Sequence, residues 1–154
     1  MIRVATPDDL PVIAQMRAQV HALHAKGRPD IFRADLTPEL AARAREFLER
    51  PDAAILLAER DGVVCGFACV NEVVRAQSPY NNARAFLHVE EFGVDESHRR
   101  QGVGRELFDF IRAYAREKGL HRVELDMWAF NADALRFYES IGLKTYRHDM
   151  ECEV

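Results

Sequence analysis

Apolar residues follow two different spacings along the chain, and the changes between them divide it into helices and strands. In four segments they recur every three or four positions, as on the buried face of a helix. Thr6-Pro7-Asp8-Asp9 and Thr37-Pro38-Glu39 are typical helix beginnings, and Gly119 and Gly142 are typical ends. The predicted helices cover residues 7–26, 38–51, 102–118 and 131–141.

Apolar residues that alternate or run together predict the strands. Arg60-Asp61-Gly62 has the composition of a hairpin turn, so the strands on either side of it should pair. The order β-α-α-β-β-β-α-β-α-β predicts an α/β (α+β) fold in which a central mixed sheet is flanked by helices. The predicted strands are residues 2–5, 53–58, 63–74, 84–94 and 121–128, with one or two more in the last dozen residues.

The composition is that of one soluble domain. With 154 residues, 48% of them hydrophobic and 30% charged, the chain can bury a core, and we expect a single domain over residues 1–154. The net charge of −4 argues against nucleic acid as a partner and is compatible with a cationic substrate. No apolar stretch approaches the roughly 20 residues that span a bilayer, and no signal peptide precedes the first strand. We therefore expect a cytoplasmic protein without a membrane partner.

The cysteines predict no metal centre. Cys65 and Cys69 lie in an apolar strand pattern, no Cys-x-x-Cys pair occurs, and no histidines flank the cysteines at zinc-finger spacing. Reduced thiols are the simpler interpretation for a cytoplasmic protein.

One short segment has the features of an anion site. Arg99-Arg100-Gln101-Gly102-Val103-Gly104 joins a strand to the following helix, and Arg105 adds another positive charge. The start of a helix has free N–H groups and a partial positive charge, and glycines let a phosphate approach them. The segment is not a dinucleotide fingerprint, because Leu107 stands where the third glycine would be. On these residues alone, a tight turn with a solvated basic face remains the alternative.

A second motif follows downstream. Asn131 begins a short predicted helix that carries Phe137-Tyr138 and ends at Gly142-Leu143. Residues 99–104 match the pattern Arg/Gln-x-x-Gly-x-Gly/Ala, and together the two motifs resemble the GNAT superfamily of N-acetyltransferases. The order of elements from residue 53 onward resembles that family too, whereas the segment before it matches only in its pattern of one strand and two helices.

The resemblance implies a fold and a co-substrate. The strands around residues 84–94 and 121–128 would splay apart in a mostly antiparallel sheet and admit acetyl-coenzyme A (acetyl-CoA), with no metal. The first of these strands would pair with the pantetheine arm, the N–H groups that follow Arg100 would bind pyrophosphate, and Tyr138 would stand beside the thioester sulfur. The coenzyme-binding residues implied in this way are Phe92, Gly93, Val94, Arg99, Arg100, Gln101, Gly102, Val103, Gly104, Arg105, Asn131 and Tyr138.

Acetyl transfer to an amine needs a base for the ammonium, an N–H donor for the carbonyl and an acid for the departing thiolate. The resemblance implies the Val94 N–H as the donor and Tyr138 as the acid. For the base, Glu90 and Glu91 are consecutive acids in a strand that is otherwise rich in apolar residues. Alternation puts Glu90 on the face of Phe92, although a bulge, frequent in the family, would change that face. Relatives place an acid at the position of Glu90, so we favour Glu90 over Glu91. The alternative is one solvated acid and one acid in a structural salt bridge.

These residues favour an N-acetyltransferase that moves acetyl from acetyl-CoA to a primary amine of a small molecule, by direct attack in a ternary complex. A protein or peptide acceptor and a non-catalytic acyl-CoA-binding module are the alternatives. The presence of both Tyr138 and the Glu90-Glu91 pair counts against the binding module, since binding alone needs neither. Edge strands and the apolar end of the strand at 63–74 predict a possible homodimer.

Overall fold

The chain folds around a five-stranded sheet. The computed structural model describes residues 1–35 and 38–154, and the side chains of all of these except residues 38–41. The strands are β1 (Ile2–Val4), β2 (Ala53–Arg60), β3 (Val63–Arg75), β4 (Arg84–Val94) and β5 (Val123–Leu125), and they lie in this order across the sheet. The first three neighbouring pairs are antiparallel, whereas β4 and β5 are parallel.

Helices cover both faces of this sheet. They are α1 (Leu10–Gly27), α2 (Pro38–Glu49), α3 (Val103–Glu117) and α4 (Ala132–Ser140), and 3-10 turns at Pro7–Asp9 and Glu96–His98 precede α1 and α3. Within the described part of the chain, no helix is long and apolar enough to cross a membrane.

Each face of the sheet carries its own hydrophobic core, because the apolar strand residues alternate between the two faces. On the α3 side, Leu56, Ala68, Val70, Leu87 and Val89 pack with Leu107, Phe108 and Ile111. On the α1 and α2 side, Ile55, Leu57, Phe67 and Cys69 pack with Ile13, Met16, Ala44 and Phe47. The spacing of four between Val103, Leu107 and Ile111 keeps one stripe of α3 buried.

The predicted mixed, mostly antiparallel sheet with flanking helices is confirmed, and two details of its second half are wrong. The predicted strand 121–128 is reduced to the three residues of β5, because β4 pairs with it only from Leu87 to Val89. The closing strands predicted in the last dozen residues are not formed, since such a short β5 offers them little edge to pair with. The segment is held by side chains instead, as where the Tyr146 hydroxyl donates to Glu124 at 2.8 Å. The predicted cap Thr37 lies outside the described residues.

Candidate active site

A bulge in β4 decides where its two acids lie. On β3, Cys69 pairs with Glu91 and the next residue pairs with Val89, so Glu90 has no partner opposite it. Because of this extra residue, Val89 and Phe92 share the face covered by α3, whereas Glu91 faces α1. The simple alternation that placed Glu90 on the face of Phe92 is therefore wrong for this strand.

The two acids have different partners. Both carboxylate oxygens of Glu91 accept hydrogen bonds from Arg17 of α1, from Nε at 3.0 Å and from Nη2. Glu90 approaches Arg50 only to 3.8 Å, and its side chain is 41% exposed, compared with 22% for Glu91. One acid is thus solvated and the other lies in a salt bridge, the arrangement that the sequence left open as an alternative. Glu90 is the acid with the weaker internal partner and the better access to a substrate.

Tyr138 lies in a group of aromatic rings that joins α4 to β4 and α3. The centroid of its ring is 6.1 Å from Phe92, 6.3 Å from Phe108 and 5.3 Å from Phe137. Phe137 stacks in turn on Phe92 at 5.7 Å. These contacts fix the phenol of Tyr138 beside the part of β4 that the sequence assigns to the coenzyme.

The phenol of Tyr138 is protonated and forms no hydrogen bond with the residues that the structure describes. Burial raises the pKa of Tyr138 to about 12, and no hydrogen bond to a described residue contributes to that shift. The Oη–H of Tyr138 is therefore a donor that is available to a ligand at physiological pH.

The backbone of the cradle (residues 99–105) forms a concave surface of N–H groups. Arg100 and Gly102 are left-handed, with φ of 60° and 84°, and Gly102 is the N-cap of α3. Successive N–H groups in such turns point into one concavity, and the start of α3 adds its own free N–H groups and partial positive charge. Within the described part of the chain, the N–H groups of residues 101–105 have no backbone acceptor. This surface fits a pyrophosphate.

The two glycines of the cradle serve different purposes. Gly102 has a φ that disfavours other residues, and a Cβ there would meet only Oε1 of Glu106, at 3.8 Å. A Cβ on Gly104 would instead lie 3.1 Å from the ring of Phe137. The space at Gly104 is thus taken by α4, whereas the sequence argument had assigned it to the phosphate.

Most polar side chains of the cradle are bonded within the protein. Arg99 donates to the carbonyl of Val94 at 3.2 Å, Gln101 donates to the preceding 3-10 turn at 2.8 Å, and Arg105 donates to the last turn of α4 at 3.4 Å. Arg100 is exposed and forms no ion pair with the residues that the structure describes. Of the cradle's basic side chains, Arg100 is the best placed to meet an anion.

Beyond the bulge, β4 and β5 separate. Their pairing ends at Val89 and Leu125, so the following part of β4 has an unpaired edge within the described residues. The predicted splay of these strands is confirmed. Asn131 caps α4, accepting from the Ala134 N–H at 3.1 Å, which leaves its own NH₂ group for a ligand.

A second aromatic group lies on the α1 side of the sheet. The rings of His24 and Trp128 lie 5.1 Å and 5.2 Å from Phe32, and His24 also contacts Phe130 at 6.3 Å. Burial lowers the pKa of His24, an effect that Glu91 partly opposes. Burial therefore favours the neutral form of the imidazole. This group joins α1 to the segment that follows β5.

Arg17 is the residue of this region that the sequence analysis missed. It lies next to the buried Met16 on α1, and its own side chain is only 11% exposed. In the sequence, Arg17 is a basic residue beside the buried stripe of a helix, and Glu91 is an acid within an apolar strand. Only the two observations together would have indicated their ion pair. The two residues lie 74 positions apart, so only the fold brings them together.

A cavity of about 320 Å³ lies at the opposite end of α3 from the cradle. It contains no residue of the cradle, of β4 or of α4, so it is separate from the candidate site. Basic side chains are expected there, because the C-terminal end of a helix favours positive charge. It is lined by Arg112, Ala115, Arg116, Leu120, His121, Arg122 and Val123.

The profile of the acetyltransferase (GNAT) family matches residues 18–143, which include β4, the cradle and α4. The chain belongs to this family. It is 28% identical over 123 residues to L-ornithine N5-acetyltransferase of Arabidopsis thaliana, covering 78% of this chain and 52% of that relative. It is 34% identical over 112 residues to mycothiol acetyltransferase of Thermomonospora curvata, covering 73% of this chain and 34% of that relative. The chain thus spans about half or less of the length of these two family members.

Solved structures agree with the fold. The BH1408 protein from Bacillus halodurans, in a tetramutant form, superimposes with a TM-score of 0.94 at 28% identity, covering 100% of this chain and 99% of that one. The aminoglycoside N-acetyltransferase AAC(6')-Iy, in complex with CoA, gives a TM-score of 0.74 at 19% identity, covering 100% of this chain and 98% of that one. At this lower identity the likeness concerns the fold alone.

Proposed function

We propose that the protein transfers the acetyl group of acetyl-CoA to a primary amine of a small molecule, by direct attack within a ternary complex. The observation that carries the proposal is that three features meet at the end of β4. Within the part of the chain that the structure describes, they are the free N–H groups of the cradle, the unpaired edge beyond the bulge and the unbonded, protonated phenol of Tyr138. A module that only bound acyl-CoA would use the first two and would have no need of the third.

Groups of the chain itself would hold acetyl-CoA along the cradle and the unpaired edge of β4. The N–H groups of residues 101–105 bind the pyrophosphate, supported by Arg100. The backbone of Phe92, Gly93 and Val94 pairs with the amides of the pantetheine arm as a further strand would, and the NH₂ group of Asn131 donates to that arm. The unpaired edge of β4 and the capping geometry of Asn131 support these roles.

Three groups would carry the chemistry. Glu90 accepts a proton from the acceptor ammonium through a water molecule, the Val94 N–H donates to the thioester oxygen, and Tyr138 donates to the sulfur as the C–S bond breaks and the C–N bond forms. Of the two protons that the ammonium loses, one leaves to solvent through Glu90 and the other replaces the proton that Tyr138 gives up. Burial disfavours a phenolate on Tyr138, so its proton should pass to the sulfur only as negative charge develops there.

The acceptor is proposed to be small. The relative named L-ornithine N5-acetyltransferase supports this choice, since its name gives a small amine as acceptor. The exposed carboxylate of Glu90 and the net charge of −4 favour a cationic acceptor.

A screen of the purified protein tests the proposal. Polyamines, aminoglycosides, amino acids and peptide N-termini are each added with acetyl-CoA, and the release of free thiol is followed, with Tyr138→Phe as the control protein. We expect turnover above background hydrolysis with at least one small amine. Turnover with peptides alone would favour the protein acceptor, and coenzyme binding without turnover on any amine would favour the binding module.

A further inference from the structure

The guanidinium of Arg17 belongs to α1 but is bonded to the end of β4. Its Nε and Nη2 donate to the two carboxylate oxygens of Glu91, and its side chain is 11% exposed. The remaining nitrogen, Nη1, is buried without an acceptor among the described residues. Two parallel N–H···O bonds of this kind fix the direction of both groups, because the planar fork matches the carboxylate.

The contact of Arg17 with Glu91 continues along the same face of α1. Val20 lies one turn further on, and its Cγ2 is 3.0 Å from the position that a Cβ on Gly93 would take. Helix α1, together with the ring of Phe67 on β3, therefore packs over β4 at Gly93. Any shift of this helix against Glu91 and Gly93 would also move the neighbouring N–H of Val94.

The bulge needs such an anchor, because its extra residue has no partner on β3 to hold it. If Glu91 instead of Glu90 were the extra residue, the pairing would shift by one position and the two carboxylates would exchange places. In the observed pairing, Glu91 faces α1 and the bond from Arg17 holds it there. Glu90 is the unpaired residue of this arrangement.

We infer that Arg17 is a positioning residue for acetyl transfer, which fixes the β4 bulge through Glu91 and so sets the places of Glu90 and the Val94 N–H. The inference rests on the proposed function for the roles of those two groups. It assigns Arg17 no contact with either substrate.

Arg17→Met is the first variant that tests this role, and Arg3→Met is its matched control. Arg3 also pairs with carboxylates, those of Asp9 and Glu59 at 2.7 Å each, but at the β1 edge of the sheet. Both variants lose an ion pair, so both should lower the free energy of unfolding. Only Arg17→Met should lower kcat, by about 10-fold to 10²-fold, because displaced reacting groups cost turnover. KM for acetyl-CoA should rise less than kcat falls, since the cradle is untouched and only the proposed pairing of residues 92–94 with the pantetheine arm is disturbed.

A double variant separates positioning from stability. In Arg17→Met the carboxylate of Glu91 is left without its partner, which lowers the free energy of unfolding. Adding Glu91→Gln removes the unpaired charge and should restore much of the stability. If Arg17 positions the bulge, kcat stays low in the double variant. If kcat recovers together with stability, the role of Arg17 is only structural and the inference is overturned.

Hydrogen exchange gives a readout that does not depend on activity. In Arg17→Met, amide exchange should accelerate in residues 89–94 and stay unchanged in α3, whereas Arg3→Met should leave residues 89–94 as they are. Acceleration spread evenly over the sheet in Arg17→Met would overturn the inference. If the wild type transfers acetyl to no amine, the proposed function fails, and exchange still decides whether Arg17 holds the bulge.

Discussion

The ring of Phe137 lies against Gly104, at 3.1 Å from the position that a Cβ there would take. The same ring stacks on Phe92 and contacts Tyr138, with centroid distances of 5.7 Å and 5.3 Å. The cradle, the end of β4 that is proposed to bind the coenzyme and the proposed acid are thus joined by one ring of α4. A change in the cradle at this position should therefore affect the proposed chemistry as well as coenzyme binding.

Replacing the two cradle glycines should have separable effects. Gly102→Val forces a β-branched residue to a φ of 84° and covers the N–H groups, so it should weaken acetyl-CoA binding by about 10-fold or more. Gly104→Val should weaken binding and also lower kcat, because it pushes Phe137 away from Tyr138. Calorimetry and steady-state kinetics measure the two effects. Gly119→Val is the matched control, since Gly119 has a φ of 71° at the far end of α3. Unchanged affinity in both cradle variants would remove the cradle assignment.

The raised pKa of Tyr138 predicts an alkaline transition. Its phenol should ionise at about pH 12 in the folded protein, whereas the pKa of an ordinary tyrosine is 10.0. The difference in phenolate absorbance between the wild type and Tyr138→Phe measures this ionisation directly. Because the folded pKa is the higher one, the unfolded chain loses this proton first. The contribution of the protonated Tyr138 phenol to the free energy of unfolding is therefore complete below about pH 10 and declines as the pH rises toward about 12. A difference titration with its midpoint near 10 would contradict the buried position of the ring.

A homodimer remains a prediction. Val63 and Val74 lie at opposite ends of β3, and 57% and 79% of their surfaces are exposed. If the Val74 end of β3 lies in the contact, Val74→Lys should dissociate the dimer, which light scattering would detect. A wild type that remains monomeric at high protein concentration would exclude this assembly.

The sequence could predict the parts of the site that local chemistry specifies. The cap at Asn131, the left-handed Gly102 at the start of α3 and the Phe137-Tyr138 pair each depend on backbone conformation or helical spacing within a few residues. The order of the elements then placed the cradle directly after β4. These local signals were sufficient to predict the family and the positions of most helices and strands.

Other features depend on contacts between distant segments, and these the sequence could not specify. The bulge at Glu90 is a property of how β4 pairs with β3, so the alternation of polar and apolar residues misplaced the face of Glu90. The length of β5 depends on where β4 diverges from it. The role of Gly104 depends on the ring of Phe137, and Arg17 acquires its partner only when α1 packs on the sheet.

The most direct test of the proposed chemistry is the pH–rate profile of three variants on one accepted amine. Tyr138→Phe should bind acetyl-CoA like the wild type and turn over roughly 10²-fold more slowly, the usual scale for a positioned acid. Glu90→Gln should lower turnover most below the pKa of the amine, and higher pH should partly restore it, whereas Glu91→Gln should show no such rescue. Full activity of Tyr138→Phe, or an alkaline rescue confined to Glu91→Gln, would contradict the account.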